Sequence, residues 1–318
     1  MKPSLFTLIL VLFLSACQPE TWCDQPLRPE LTALKAVTTN SDWFEVYEVG
    51  KGVYAIAEPY NFQEVISYLI IGDERALLFD SGMGMASMSK MVGELTSLPV
   101  TVLNSHTHYD HIGGNHEFDN VLAMDTEYTR NRAKNGMDHS IVAHEVTAEA
   151  FCQERNPDFD SETYHIKPFE ISRFVKHTEE IDLGNRTVQV VAVPGHTIDA
   201  IALLDQANGY LWTGDTFYEA PIWLFDEGTD LQAYQESVKL LANLASGLQK
   251  VFPAHNSPVS DPEILLDLRD AFNSVMSGDK TPQNNAEDAH TDSDALIFEF
   301  EHFSFVIQKD AYNAINNP

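Results

Sequence analysis

The fold class predicted for this chain is α+β, an αββα sandwich of two mixed sheets flanked by helices. Three features predict it. Short β-like runs cluster in two separate halves, each half is joined to helical sequence with an apolar stripe, and a polar stretch without alternation divides them.

The N-terminus reads MKPSLFTLILVLFLSACQPE. Lys2 precedes an uncharged apolar run from Leu5 to Leu14, then small residues and Cys17. The run is too short to remain in a bilayer as a spanning helix, so residues 1–16 read as a secretory signal peptide. Leu14-Ser15-Ala16-Cys17 also resembles a bacterial lipobox, which implies cleavage before Cys17 and lipidation of its sulfur. The protein would then be a lipoprotein exported across the inner membrane and held to a membrane through Cys17. Gln18 in the next position points, by analogy with enterobacterial sorting, to the outer membrane facing the periplasm. An ordinary signal peptide with a chance cysteine is the plainer alternative.

Residues 17–42, with Pro19, Pro26 and Pro29, read as a tether ahead of a single domain over 43–318. Cys23 and Cys152 are the other two thiols. An oxidising compartment permits a bond between them, while the place of Cys23 in a Pro-rich tether weighs against it; sequence leaves the pairing open.

The domain begins with β-like runs at Phe44–Glu48, Val53–Ala57, Val65–Ile71 and Ala76–Asp80, separated by Gly50-Lys51-Gly52 and Gly72-Asp73, an antiparallel meander. A helix over Met85–Ser97 ends at Pro99, and the apolar strand Val100–Asn104 follows. Residues 125–178 are polar and mixed, an insertion or cap over the site. Glu179–Leu183 and Thr187–Val193 form a hairpin around Gly184-Asn185, and Ala200–Leu204 with Tyr210–Thr213 form another around Asn208-Gly209. In Thr229–Ser246, Thr229 and Gln232 have capping-box spacing, and Leu231, Tyr234, Val238, Leu241 and Ala245 make one apolar stripe. Asp261-Pro262 starts a further helix that Gly278 stops. Residues 279–294 read as a flexible acidic loop, and Ala295–Gln308 as a final strand.

Nineteen basic against 48 acidic residues give a net charge of −29, which keeps a protein soluble and repels polyanions; nucleic acid is excluded as a favoured partner. Three scattered cysteines make no zinc knuckle.

The chemistry lies in SHTHYDHIGGNH, residues 105–116, which holds four of the chain's twelve histidines. On extended backbone His106 and His108 point the same way, so both imidazoles can bind one ion. Asp110 and His111 follow where the chain must turn towards Gly113-Gly114, and can aim at a second. VVAVPGHT then offers His196, GYLWTGDT offers Asp215 and KVFPAHNSP offers His255, each directly after a predicted strand. Nitrogen and carboxylate donors without thiolate suit Zn2+ best, with Fe or Mn also accommodated. A closed structural metal staple fits poorly, because such sites use four ligands around one ion.

These four ordered motifs resemble those of the metallo-β-lactamase superfamily, its two-metal hydrolase branch, over roughly residues 44–275. The resemblance implies that His106, His108 and His196 hold one metal, that Asp110, His111 and His255 hold the other, and that Asp215 bridges them. It also implies a metal-bridging hydroxide as nucleophile, oriented by Asp110 as a catalytic residue. Asp80 in ALLFDSG would accept a hydrogen bond from a ligand imidazole and fix its tautomer, with turn capping the alternative. In the family's true β-lactamases cysteine or serine typically replaces the bridging aspartate. The resemblance makes an aspartate such as Asp215 usual in hydroxyacylglutathione hydrolases, lactonases, thioesterases and phosphodiesterase-like members, and the reading chosen among them is hydrolysis of an ester, thioester or lactone. A β-lactam hydrolase is the runner-up, and a non-catalytic metal-binding or sensing lipoprotein the third reading. Phe217, Tyr218, Trp223 and Phe225, just after the bridging ligand, suggest an apolar wall of the pocket for a small-molecule substrate. Glutathione and coenzyme A are chiefly cytosolic, so an exported enzyme calls for a different thioester or ester.

Overall fold

The computed structural model describes residues 21–225, 228–283 and 295–316. The expected signal segment 1–16, Cys17 and residues 284–294 of the acidic loop lie outside the described residues.

After the short helix α1 (Pro29–Thr32), strands β1 (Glu45–Gly50), β2 (Val53–Ala57), β3 (Ile66–Ile71) and β4 (Ala76–Phe79) form the antiparallel meander. Helix α2 (Met88–Leu95) starts at Ser87, whose hydroxyl accepts from the Lys90 amide. It leads to β5 (Val100–Leu103), parallel to β4. The helical turn α3 (Tyr109–Ile112) follows, then β6 (Val121–Met124), parallel to β5. The insertion carries α4 (Glu127–Asn135) and α5 (His139–Val142), in keeping with its mixed helical and irregular reading, and then a strand that reading did not include, β7 (Arg173–Val175), which joins β6 and completes a seven-stranded sheet.

Strands β8 (Glu180–Asp182), β9 (Thr187–Ala192), β10 (Ile201–Asp205) and β11 (Tyr210–Gly214) are the two expected hairpins. Strand β12 (Pro221–Leu224) comes next. Helix α6 (Leu231–Leu244) leads to β13 (Lys250–Pro253), which lies parallel to β11 and closes a five-stranded sheet. Its N-cap is Asp230 and not Thr229, because the carboxylate accepts from both the Gln232 and Ala233 amides while the Thr229 hydroxyl donates to the His196 carbonyl. Helix α7 (Ile264–Met276) ends before Gly278, which has φ +77°. The expected final strand is two strands, β14 (Ala295–Glu299) and β15 (Ser304–Gln308), a hairpin closed by the Phe303 carbonyl accepting from the Phe300 amide. With β12, parallel to β15, they make a third, three-stranded sheet before α8 (Lys309–Asn316). A run of phenylalanines hid the reversal, since both arms alternate with the same apolar residue.

The period-2 alternation of the strands sorts the interior into three cores. Tyr68, Ile70, Leu77, Phe79 and Leu103 meet Leu203, Trp212 and Phe252 between the sheets. Their neighbours Leu69, Leu78 and Val102 face the other way, against Met88 and Met91 of α2 and Met137, Val142 and Phe169 of the insertion. Ala202, Leu211 and Val251 pack on Tyr234, Val238, Leu268 and Phe272 of α6 and α7. The αββα expectation holds, with the insertion contributing to one outer layer.

The segment expected to be a tether is bound down from Trp22 to Val37. The Trp22 indole donates to the Pro59 carbonyl, Arg28 pairs with Glu64 at 2.5 Å, and the Val37 amide donates to the Val46 carbonyl. Cys23 and Cys152 are joined in a disulfide, which settles the pairing that sequence left open. No helix among the described residues is long and apolar enough to cross a membrane.

Candidate metal centre

The C-terminal ends of β4, β5, β9, β11 and β13 bring Asp80, His106, His196, Asp215 and His255 to one rim where the two sheets meet. There the Ile66 amide donates to the Ala254 carbonyl, and Val65 bridges to His255. His108 keeps extended backbone (φ −69°, ψ 157°) and the chain turns helical at Tyr109, so His106 and His108 face one way and Asp110 and His111 another.

Close backbone approach makes this possible at two glycines. A Cβ on Gly113 would lie 2.2 Å from the Met83 carbonyl, and one on Gly214 would lie 2.6 Å from the Ser105 side chain. Gly214 also has φ +52°, which turns the chain to present Asp215.

The seven expected side chains converge. His106, His108 and His196 form one group and Asp110, His111 and His255 a second; within each, one donor atom per residue lies within 4.8 Å of the others. His196 Nε2 is 3.2 Å from His106 Nε2 and 3.1 Å from His108 Nδ1. Asp215 lies between the groups: Oδ1 is 3.3 Å from His111 Nε2 and 3.2 Å from His255 Nε2, and Oδ2 is 3.6 Å from His196 and 3.9 Å from His106. Asp110 Oδ2 stands 3.4 Å from both His111 Nε2 and His255 Nε2.

Tautomers decide whether cations fit. His111 Nδ1 is 2.9 Å from Asp80 Oδ2, and His255 Nδ1 is 2.7 Å from the Gln63 carbonyl, an acceptor in each case. Each Nδ1 therefore carries the proton, and in the neutral ring each Nε2 turns a lone pair towards the carboxylate oxygens. His111 Nε2, His255 Nε2 and Asp215 Oδ1 are buried without a hydrogen bond, the angles failing although the distances are short. Lone pair facing carboxylate is repulsive unless a proton or a cation lies between. The donor set, imidazole and carboxylate without thiolate, suits divalent ions such as zinc.

Electrostatics follow the same partition. Burial, and then the neighbouring imidazoles of His111 and His108, hold His106 well below the usual histidine range. Burial alone would lower His111 as well, but Asp110, Asp215 and Asp80 outweigh it and raise it. His255 is likewise raised against burial by Asp215 and Asp110. Burial works to raise Asp215, and His255, His111 and His106 overcome it, so its carboxyl stays ionised.

Asp80 is placed as expected: Oδ2 meets His111 Nδ1, and Oδ1 accepts from the Ser105 amide at 2.6 Å. Of the expected apolar wall, Tyr218 packs 4.9 Å from the His255 ring. Phe217 does not belong to it, because its fully buried ring faces the outer core and packs edge-on against Phe303. Trp223 is 37% exposed and reaches the site through its backbone, its carbonyl 2.7 Å from His196 Nδ1. Phe225 is half-buried just past the end of β12.

Three further residues, Gln63, Glu145 and Asp199, support the site without standing out in the sequence. Gln63 holds His255 with its carbonyl, while its amide donates to the Tyr109 hydroxyl at 3.0 Å and to Glu145 Oε1 at 2.9 Å. Glu145, fully buried in the insertion, also meets His144 Nε2 at 3.0 Å, so the insertion is stitched to the rim. Nothing in the spacing of Gln63 or Glu145 signals this. Asp199 gave a faint signal, a carboxylate within the motif PGHTIDA.

The family model described as the metallo-beta-lactamase superfamily matches residues 62–279. The chain belongs to the metallo-beta-lactamase superfamily. Over 227 residues it is 26% identical to a Gallus gallus protein named acyl-coenzyme A thioesterase MBLAC2, an overlap of 67% of this chain and 81% of that one. It is 28% identical over 155 residues to a hydroxyacylglutathione hydrolase of Idiomarina loihiensis, covering 49% of this chain and 46% of the relative. A metallo-beta-lactamase family protein from Thermus thermophilus shares the fold, with a TM-score of 0.52 at 19% identity over 73% of this chain and 82% of that one. This metallo-beta-lactamase superfamily member is a hydrolase whose histidine and aspartate clusters can bind metals.

Proposed function

We propose that the chain is a binuclear metal-dependent hydrolase that cleaves a carboxylic ester, thioester or lactone outside the cytoplasm. The observation that carries the reading is Asp215, whose two oxygens reach the two donor groups separately. A carboxylate in that position suits a pair of ions held close together, one to each group. Divalent ions there would supply a nucleophile at neutral pH and polarise the scissile carbonyl.

The protein's own groups would do the rest. His106, His108 and His196 would hold one ion, Asp110, His111 and His255 the other. Asp110 has Oδ2 facing both His111 and His255, and is placed to accept a proton from the attacking species. Asp80, Gln63 and the Trp223 carbonyl fix ring orientations through the far nitrogens of His111, His255 and His196. Tyr218 would give an apolar surface beside His255 for the acyl part of the substrate.

The thioester and ester classes are supported by the names of the relatives, an acyl-coenzyme A thioesterase and a hydroxyacylglutathione hydrolase. An extracytoplasmic location, with Cys17 as a lipid anchor, is supported by the apolar N-terminal run and by the Cys23–Cys152 bond, which an oxidising compartment sustains. The test is a zinc-loaded sample with measured metal content, assayed against an acyl thioester, a lactone, a β-lactam and a phosphodiester. Turnover of the thioester or lactone is expected. Hydrolysis of the β-lactam alone would overturn the substrate class, and silence on all four with two ions bound would favour a binding or sensing protein.

A further inference from the structure

Asp199 is 3% exposed and accepts three hydroxyl hydrogen bonds. Thr107 Oγ1 donates to Oδ2 at 2.6 Å, Thr129 Oγ1 to the same oxygen at 2.9 Å, and Thr197 Oγ1 to Oδ1 at 2.7 Å. All three threonines are fully buried. A buried carboxylate is costly unless its lone pairs are satisfied, and here hydroxyls alone supply the donors among the side chains it bonds. What it joins explains its place. Thr107 lies between His106 and His108, Thr197 follows His196 directly, and Thr129 belongs to the first helix of the insertion.

We infer that Asp199 is the positioning residue of the three-histidine subsite, clamping the His106–His108 turn to the His196 loop so that three imidazoles from two segments keep one geometry. The inference rests on the two-metal reading above. Asp199 acts on the rings through the threonines beside them. Its counterpart is Asp80, which bonds His111 directly and so braces the other subsite. Asp80 also accepts from the Ser105 amide beside His106, whereas the threonines that Asp199 holds flank only histidines of the three-histidine subsite, so removing Asp199 disturbs that one ion. The bond from Thr129 ties the insertion to the same carboxylate without touching a histidine-bearing segment, which makes it a natural control.

The test reads metal affinity, independent of turnover. Wild type, Thr107→Val, Thr107→Ser, Thr129→Val and Asp199→Ala are dialysed against zinc, and the affinity of each ion is measured by competition with a chromophoric chelator. Cobalt-loaded samples give a visible spectrum for each subsite. Thr107→Val and Asp199→Ala are expected to bind one ion about 10- to 100-fold more weakly and to change the cobalt spectrum, with the second ion held as in wild type. Thr107→Ser, which keeps the hydroxyl, should restore wild-type affinity, and Thr129→Val should stay within about twofold. If Asp199→Ala does not fold, the valine and serine variants of Thr107 decide alone. Unchanged affinity in Thr107→Val, equal weakening of both ions, or an equal loss in Thr129→Val would overturn the assignment. A wild-type protein that takes up fewer than two ions would instead refute the two-metal reading itself.

Discussion

Replacing Asp215 with alanine is expected to lower turnover on the order of a thousandfold, the kinetic equivalent of about 4 kcal/mol of lost charge stabilisation at the reacting centre. Its two oxygens stand 3.2–3.9 Å from nitrogens of His111, His255, His196 and His106, which places it between the two subsites. Without it, Asp110 is left as the single carboxylate of the two donor groups against five imidazoles. Two cations close together would then repel with less negative charge between them, and metal content should fall below two per chain. The variant is to be measured for kcat, metal stoichiometry and circular dichroism on one sample. A folded variant with wild-type turnover would show that Asp215 does not bridge.

The second large effect concerns stability. The Cys23–Cys152 bond closes a loop with a sequence separation of 129. A loop of that size loses much of its freedom in the unfolded chain, and removal of such a bond typically costs about 2–5 kcal/mol. The double variant Cys23→Ser with Cys152→Ser should therefore unfold at clearly lower denaturant than the oxidised wild type. Wild type treated with reductant should match the variant. The effect should extend to the site, because the same segment carries Trp22 onto the Pro59 carbonyl and Arg28 onto Glu64, next to the Gln63 carbonyl that holds His255. A midpoint indifferent to reductant, or two free thiols by mass spectrometry, would contradict both the bond and the oxidising compartment inferred from it.

How much of this was legible in the sequence differs from element to element. The meander and the two hairpins were readable because short apolar, β-prone runs are separated by turns that carry glycine or asparagine, even where a strand such as Ala76–Phe79 is buried on both faces and does not alternate. The seven candidate ligands were readable because metal chemistry restricts residue type and each follows a strand. Strand β7 was not, since Arg173–Val175 is three residues long and gains its identity from pairing with β6. The N-cap of α6 went to Asp230 because the competing hydroxyl of Thr229 was taken by the His196 carbonyl, a tertiary contact with no local trace. Phe217 looked like a wall residue by proximity to Asp215, yet strand geometry turned it into the core. The supports of the site were the least visible. Gln63 acts partly through its main chain, and Asp199 acts through the hydroxyls of Thr197 and of Thr107, the latter 92 positions away.

The proposed chemistry requires that side chains from four motifs grip two cations in one pocket. Crystals grown with zinc and measured at the zinc absorption edge test it most directly. Two anomalous peaks are predicted, one among His106, His108 and His196 and the other among Asp110, His111 and His255, with Asp215 reaching both. A single peak, or peaks away from these residues, would rule out a two-metal centre here.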